Sequence, residues 1–142
     1  GTAYTHGLNW ALQHTNANII AQMDADFSHD PNTLPTLVEV AARNTIAVGS
    51  RYTMGGGIQN WGPGRRFLSK AATLYVRIVL SLPVTDVTGA FRCWPRSILS
   101  QIDLSKIRAS AFAVLPEMLF HANDQGFSIT EVPIMFNERR VG

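Results

Sequence analysis

The sequence predicts an α/β fold, a mostly parallel sheet flanked by helices. Three observations carry this: short apolar runs alternate with segments of helical period, the run Asn18-Ile19-Ile20-Ala21-Gln22-Met23 ends abruptly in Asp24 and Asp26, and Pro31 then opens a helix. Strand-helix-strand alternation of this kind favours parallel strands joined by right-handed crossovers. Open α/β sheets bind ligands in the crevice outside the carboxyl ends of their strands, where these two acids fall.

Leu8, Ala11 and Leu12 share one face of a helix expected over residues 2–14, followed by a strand over 18–23. A helix over 31–43 begins at Pro31, whose missing N–H costs nothing at a helix start, and a strand over 45–49 follows. The segment 54–64 carries Gly55-Gly56-Gly57, Gly62 and Gly64; glycine runs are costly to order, so a mobile substrate loop is expected rather than a hairpin. A long helix over 64–81 places Arg66, Lys70 and Arg77 on one side and Phe67, Leu68, Ala71, Leu74, Ile78 and Val79 on a broad apolar face. Two readings of it stand: a core helix with a solvated basic stripe, or a helix lying in a membrane interface. A turn over 83–88, a strand over 89–94, helices over 95–101 and 111–125 and a strand over 128–136 complete the chain. Pro116 implies that the last helix starts there or kinks there.

At 142 residues the chain is one domain or part of one, with 46% hydrophobic and 15% charged residues. That charge content is below the ~25% of soluble domains. A net charge of +2 does not point to nucleic acid, but ten of the twelve basic residues are Arg, which favours bidentate contact with phosphate or carboxylate. The single Cys93 excludes an internal disulfide and a cysteine zinc cluster; it is expected in the core, and a reducing compartment fits. No secretory leader and no apolar run of membrane-spanning length are visible. The opening Gly1-Thr2-Ala3-Tyr4 and the close at Arg139-Arg140-Val141-Gly142 suggest a chain cut at both ends.

Two carboxylates spaced i, i+2 repel unless a cation sits between them, and a hard divalent ion holding a phosphate suits them. The plainer alternative, that Asp24 and Asp26 cap the helix at Pro31, needs only one side chain, and Asp30 or Ser28 already serves. The other polar residues at expected strand ends and loops are Ser50-Arg51-Tyr52, Arg65-Arg66, Asp86, Arg92, Glu117 and Arg139-Arg140. Metal-holding carboxylates with several arginines suit a substrate pair bearing two anionic groups, a diphosphate on the metal and a free phosphate on the arginines. His29 beside the acids is either a site residue or a loop residue bonded to backbone; Asp86 is expected to fix the turn before Thr88-Gly89. An Asp-x-Asp phosphohydrolase would need further lysine and acid motifs, and Lys70 and Lys106 are the only lysines.

The stretch Gln22-Met23-Asp24-Ala25-Asp26-Phe27-Ser28-His29-Asp30-Pro31 resembles the metal-binding motif of the dolichol-phosphate (polyprenyl-phosphate) mannose synthases of glycosyltransferase family 2. The likeness continues in order through Val48-Gly49-Ser50-Arg51-Tyr52, Gly55-Gly56-Gly57, Asn60-Trp61-Gly62, Arg65-Arg66, Asp86-Val87-Thr88-Gly89-Ala90-Phe91-Arg92 and Glu131-Val132-Pro133-Ile134. This resemblance implies a GT-A type nucleotide-diphospho-sugar transferase fold, incomplete at its N-terminus. Residues 1–142 would be part of the catalytic domain, without the nucleotide-binding strands and the C-terminal end. It implies inverting transfer of mannose from GDP-mannose to a polyprenyl or dolichyl phosphate with Mg2+ or Mn2+, peripherally at the cytoplasmic face of a membrane. A glucosyl or other sugar transferase, or an inactive membrane-surface module on the same fold, are the alternatives. On matching positions Asp24 and Asp26 would hold the metal and diphosphate. Arg51 and one of Arg65 or Arg66 would face the acceptor phosphate, Ser50 would be a further substrate-binding residue, and Arg139 or Arg140 would close over the phosphates. Glu117 occupies the place where related sugar transferases carry an acidic base. A phosphate acceptor, already an anion at pH 7, needs none.

Overall fold

The computed structural model describes residues 2–137; Arg139 and Arg140 lie outside the described residues. Helix α1 (Thr2–His14) leads to strand β1 (Ile19–Gln22), and the acidic turn follows. A 3-10 turn at Pro31–Thr33 runs into α2 (Leu34–Ala41), and then come β2 (Ile46–Ser50), the short β3 (Gly57–Ile58) and the long α3 (Pro63–Val79). Strand β4 (Arg92–Pro95) passes directly into α4 (Arg96–Leu99); α5 (Val114–Asp124) leads to β5 (Ile129–Pro133) and β6 (Met135–Phe136).

The main sheet has the order β1-β4-β2-β5, and β3 pairs with β6 in a second small sheet. Strands β2 and β5 are parallel, but β4 runs antiparallel to both β1 and β2. The expected run of parallel strands is therefore interrupted, and the path of the chain explains it. After α3 the segment carrying Leu82, Val84 and Val87 is buried and arrives at the carboxyl edge of the sheet, from which β4 can enter only in reverse. The consequence is functional. The ends of β1, β2 and β5 and the start of β4 all meet at one edge, with Gln22 and Val48 both registered on Arg92 and Ser50 on Pro133.

Alternation along the strands separates two cores. Ile46, Val48 and Trp94 pack on one side with Leu8 of α1 and Leu119 of α5; Ala47, Cys93 and Val132 pack on the other with Leu37 and Ala41 of α2. Burial on both faces is why β2 reads as a continuous apolar run. Cys93 is a core residue, its thiol pushed up to about 11 by burial, so little thiolate forms near neutrality.

Several boundaries differ from expectation. The predicted 31–43 helix is shorter, since Pro35 can stand only in the first turn of α2. The strand expected from 89 begins at Arg92, because the Val87 and Gly89 carbonyls are taken by the Arg92 guanidinium. Pro116 neither starts nor kinks α5; it lies in the first turn, where no N–H is needed. The predicted 128–136 strand breaks after Pro133, which cannot donate a ladder bond, and β6 pairs elsewhere. The glycine run is not a free loop: Gly57 and Ile58 pair with Met135 and Phe136, and a Cβ on Gly56 would stand 2.4 Å from the Ser50 carbonyl oxygen. Those glycines permit a close backbone crossing. Among the described residues α3 buries only Thr73 fully and packs Val76 against the core, while Phe67, Tyr75 and Ile78 are 76%, 70% and 67% exposed.

Arg92 is fully buried, and burial pulls its guanidinium down to about 9, with Asp86 opposing. Its Nε donates to Gly89 (2.9 Å), Nη1 to Leu115 (2.6 Å) and Nη2 to Val87 (2.9 Å), fastening the segment before β4 to the start of α5. Arg92→Met should keep most of the volume and strand three buried carbonyls. At roughly 1–3 kcal/mol each, the expected loss is about 3 kcal/mol or more, read as a lower urea midpoint; an unchanged midpoint would show that water serves those carbonyls.

Candidate active site

The edge where these strand ends converge opens into a cleft of about 670 Å3, with Asp24, Arg51 and Arg65 among the residues in its wall. Asp24 follows β1 by two residues, Arg51 follows β2 directly, and Thr88 to Ala90 come from the segment entering β4. A Cβ on Gly89 would come within 3.0 Å of the Gly49 carbonyl oxygen, so glycine here lets two backbones close the cleft floor.

The acids are held by neighbours. The Tyr4 hydroxyl of α1 donates to Asp24 Oδ1 at 2.7 Å, and burial, then the Asp24 hydrogen bond, push that phenol up to about 12. The Ser28 amide and hydroxyl donate to Asp26 Oδ1 at 3.1 and 2.5 Å. This return requires Phe27 at φ 61°, a left-handed conformation that costs a non-glycine residue about 1 kcal/mol. The helix-capping role falls to Asp30, which accepts from Asn32 N at 2.9 Å. Both acids remain uncommitted to the cap. Among the described residues no group of three or more His, Cys, Asp or Glu converges. Asp24 lines the cleft, whereas Asp26 is not among its lining residues, and one oxygen of each acid already accepts from Tyr4 or Ser28.

Arg51 has a demanding partner. Its Nε and Nη2 meet Asp86 Oδ2 and Oδ1 at 2.7 and 2.8 Å, its backbone N–H donates to Oδ2 at 2.9 Å, and Nη2 also donates to Thr88 Oγ1 at 2.9 Å. Burial opposes the Arg51 charge, and the Asp86 carboxylate more than restores it, so the guanidinium lies above its ordinary value. Asp86 is wholly buried, and Glu131 Oε1 supports its turn by accepting from Thr85 Oγ1 (2.7 Å) and Asp86 N (3.0 Å). Asp86 thus fixes the turn, as expected, and the arginine as well.

An aromatic wall connects the poles. The His29 ring packs against Phe91 and Phe136, Trp61 meets Phe136 edge-on at 5.6 Å, and the Arg65 guanidinium lies 4.0 Å from the Trp61 ring centroid. Of the two adjacent arginines, Arg65 lines the cleft, whereas Arg66 donates to the Ile58 carbonyl and lines a separate hollow with Tyr52 and Lys70. Ser50 is buried, its hydroxyl accepting from Thr53 N at 3.1 Å, so it shapes the turn below Arg51. Glu117 does not line the cleft; its carboxylate accepts from Arg108 N (3.1 Å) and Ala109 N (2.8 Å) and borders another groove. The sequence reading overlooked Tyr4, Trp61 and Phe136 as site residues. For Tyr4 no sequence signal existed, since its contact with Asp24 joins residues 20 positions apart.

The family model for glycosyl transferase family 2 matches residues 2–103. This chain belongs to glycosyltransferase family 2. It is 38% identical across its whole length to polyprenol monophosphomannose synthase of Mycolicibacterium smegmatis, of which it covers 54%. It is also 38% identical to undecaprenyl-phosphate mannosyltransferase of Micrococcus luteus, covering 58%. The chain therefore spans little more than half the length of these curated relatives. The GT-A fold of family 2 accords with the α/β architecture and mixed sheet described above.

His29 supplies a pH test of this family 2 cleft. It is 5% exposed, and burial lowers its pKa from 6.5 against the opposing influence of Asp24 and Asp26. A depressed histidine stays neutral in the folded chain while the unfolded chain takes up the proton, so stability is lost as pH falls through about 6.5 toward the lower folded value. His29→Phe should flatten that fall, measured as the difference in urea midpoint between pH 7.5 and pH 5; an equally steep fall in both proteins would refute the assignment.

Proposed function

We propose that this chain forms the acceptor-facing part of a metal-dependent polyprenyl-phosphate mannosyltransferase. The observation that carries the reading is one cleft lined at one end by Asp24, with Asp26 two residues further along the chain, and at the other by Arg65 beside the Arg51–Asp86 pair. The relatives named for polyprenol and undecaprenyl phosphate transfer add support. Asp24 and Asp26 would hold Mg2+ or Mn2+ against the donor diphosphate, and the ion when bound supplies positive charge for the departing nucleoside diphosphate. Arg65 orients the acceptor phosphate, and Arg51, already bound to Asp86, sets the position and field of that wall. An acceptor phosphate oxygen attacks the anomeric carbon of the sugar, the bond from that carbon to the diphosphate oxygen breaks, and the anomeric centre inverts. The attacking oxygen is an anion at pH 7, so no proton has to be removed, which agrees with Glu117 lying outside the cleft. Arg139 or Arg140, outside the described residues, is proposed to close over the phosphates, and GDP-mannose is the proposed donor.

The same reading accounts for α3. Phe67, Leu68, Tyr75, Ile78 and Val79 are each at least 60% exposed, and the neighbouring Phe112 is 63% exposed. Such a face on a helix bearing Arg66, Lys70 and Arg77 suits the boundary of an anionic membrane, where the polyprenyl acceptor resides. No helix among the described residues is long and apolar enough to cross a membrane.

Two experiments test these claims. Asp26→Ala in the full-length protein that carries this chain should lower mannosyl transfer from GDP-mannose to a short polyprenyl phosphate by at least about a thousandfold, the scale for losing an electrostatic catalytic group, with an unchanged circular dichroism spectrum. Transfer retained in the variant would remove the metal role, and transfer from UDP-glucose instead would reassign the sugar. Replacing Ile78 and Val79 together by Glu should release the protein from sedimented phosphatidylglycerol vesicles while preserving the melting curve; equal sedimentation would exclude α3 from the membrane contact.

A further inference from the structure

Transfer between a diphosphate and a phosphate places the moving hexose between the two poles of the cleft, and the wall there holds polar atoms that neither pole uses. His29 is 95% enclosed, being 5% exposed, and its Nδ1 has no hydrogen-bond partner; the Trp61 Nε1 is likewise enclosed and unpartnered. Both rings stand edge-on to Phe136, at 5.4 Å and 73° for His29 and at 5.6 Å and 76° for Trp61. All three side chains line the same cleft as Asp24 and Arg65. They also meet the basic side of the cleft: the Arg51 guanidinium is 5.3 Å from the Phe136 ring centroid, and Arg65 lies 4.0 Å from that of Trp61.

Buried polar atoms without partners are rare and costly, and two of them on one wall of a substrate cleft call for a ligand group. An aromatic ring flanked by two ring nitrogens matches a pyranose, whose C–H face lies on an apolar ring and whose hydroxyls donate and accept hydrogen bonds. Trp61 Nε1 can only donate, whereas Nδ1 of a neutral His29 donates or accepts according to its tautomer. We propose that His29 and Trp61 read hydroxyl groups of the transferred hexose, with Phe136 as the platform beneath it. The inference rests on the sugar-transferase reading above and deepens it, assigning the choice of sugar to this chain. A hexose lacking or inverting the hydroxyl that meets either nitrogen leaves that nitrogen buried and unpaired, which is how a hydrogen-bonding site discriminates.

The test pairs the full-length protein that carries this chain, and its Trp61→Phe and His29→Phe variants, with GDP-mannose and its 2-, 3-, 4- and 6-deoxy analogues in transfer to a short polyprenyl phosphate. Both substitutions keep an aromatic ring against Phe136, and melting curves identify a variant that fails to fold, in which case the other decides. With the unsubstituted protein, kcat/KM should fall by about tenfold or more for one or two deoxy donors. Each variant should lose a similar factor with intact GDP-mannose and lose nothing further with the deoxy donor matched to its nitrogen, while the other deoxy penalties persist. If every deoxy penalty survives undiminished in both variants, the residues are structural and the proposal is overturned. Absence of transfer from both GDP-mannose and UDP-glucose by the unsubstituted full-length protein that carries this chain is a different result: it refutes the transferase reading, and this inference falls with it. Should UDP-glucose be the donor, the deoxyglucose series applies with the same outcomes.

Discussion

The buried ion pair between Arg51 and Asp86 is the constraint on which the cleft depends. A carboxylate with no solvent access must be neutralised and hydrogen-bonded, and Asp86 takes two side-chain donors and one backbone donor from Arg51 alone. Such a pair adds less stability than its short distances suggest, because both charges lose their water, but breaking it leaves a charge stranded. It therefore specifies geometry. It ties the end of β2 to the segment entering β4, and Glu131 and Arg92 hold that segment from the other side.

This arrangement divides the work among the basic residues. Arg51 is spent on Asp86 and Thr88, so its contribution to a bound phosphate is a fixed field and a fixed position. Arg65 lies against Trp61 at the cleft, where a planar guanidinium can stack and still present its edge to an anion. The acids opposite are prepared in the same manner, with Tyr4 on Asp24 and Ser28 on Asp26 fixing one oxygen of each. A site whose groups are oriented before substrate arrives has less reorganisation to do during reaction.

Much of the fold was legible because its signals are local. The apolar run ahead of Asp24 and the helical faces of Leu8 and Ile78 depend on residues within a few positions of each other. The errors came where a distant partner decided the outcome. The glycines at 55–57 looked like a loop because their neighbours β6 and Ser50 cannot be seen from the segment itself. The reversal of β4 was hidden for a similar reason, since strand direction follows from where the preceding segment is buried.

By itself the sequence determined the chemistry on offer: two carboxylates after a strand, arginines in an ordered series, and a helix with one apolar face. Residue type and short-range periodicity suffice for that. Only the tertiary structure decided which of those groups meet. It placed Arg65 in the cleft and Arg66 outside it, committed Arg51 to Asp86, removed Glu117 to another groove and brought Trp61 and His29 to one phenylalanine. The physical reason is that these partnerships depend on how strands order and reverse in the sheet, a property of the whole packed chain.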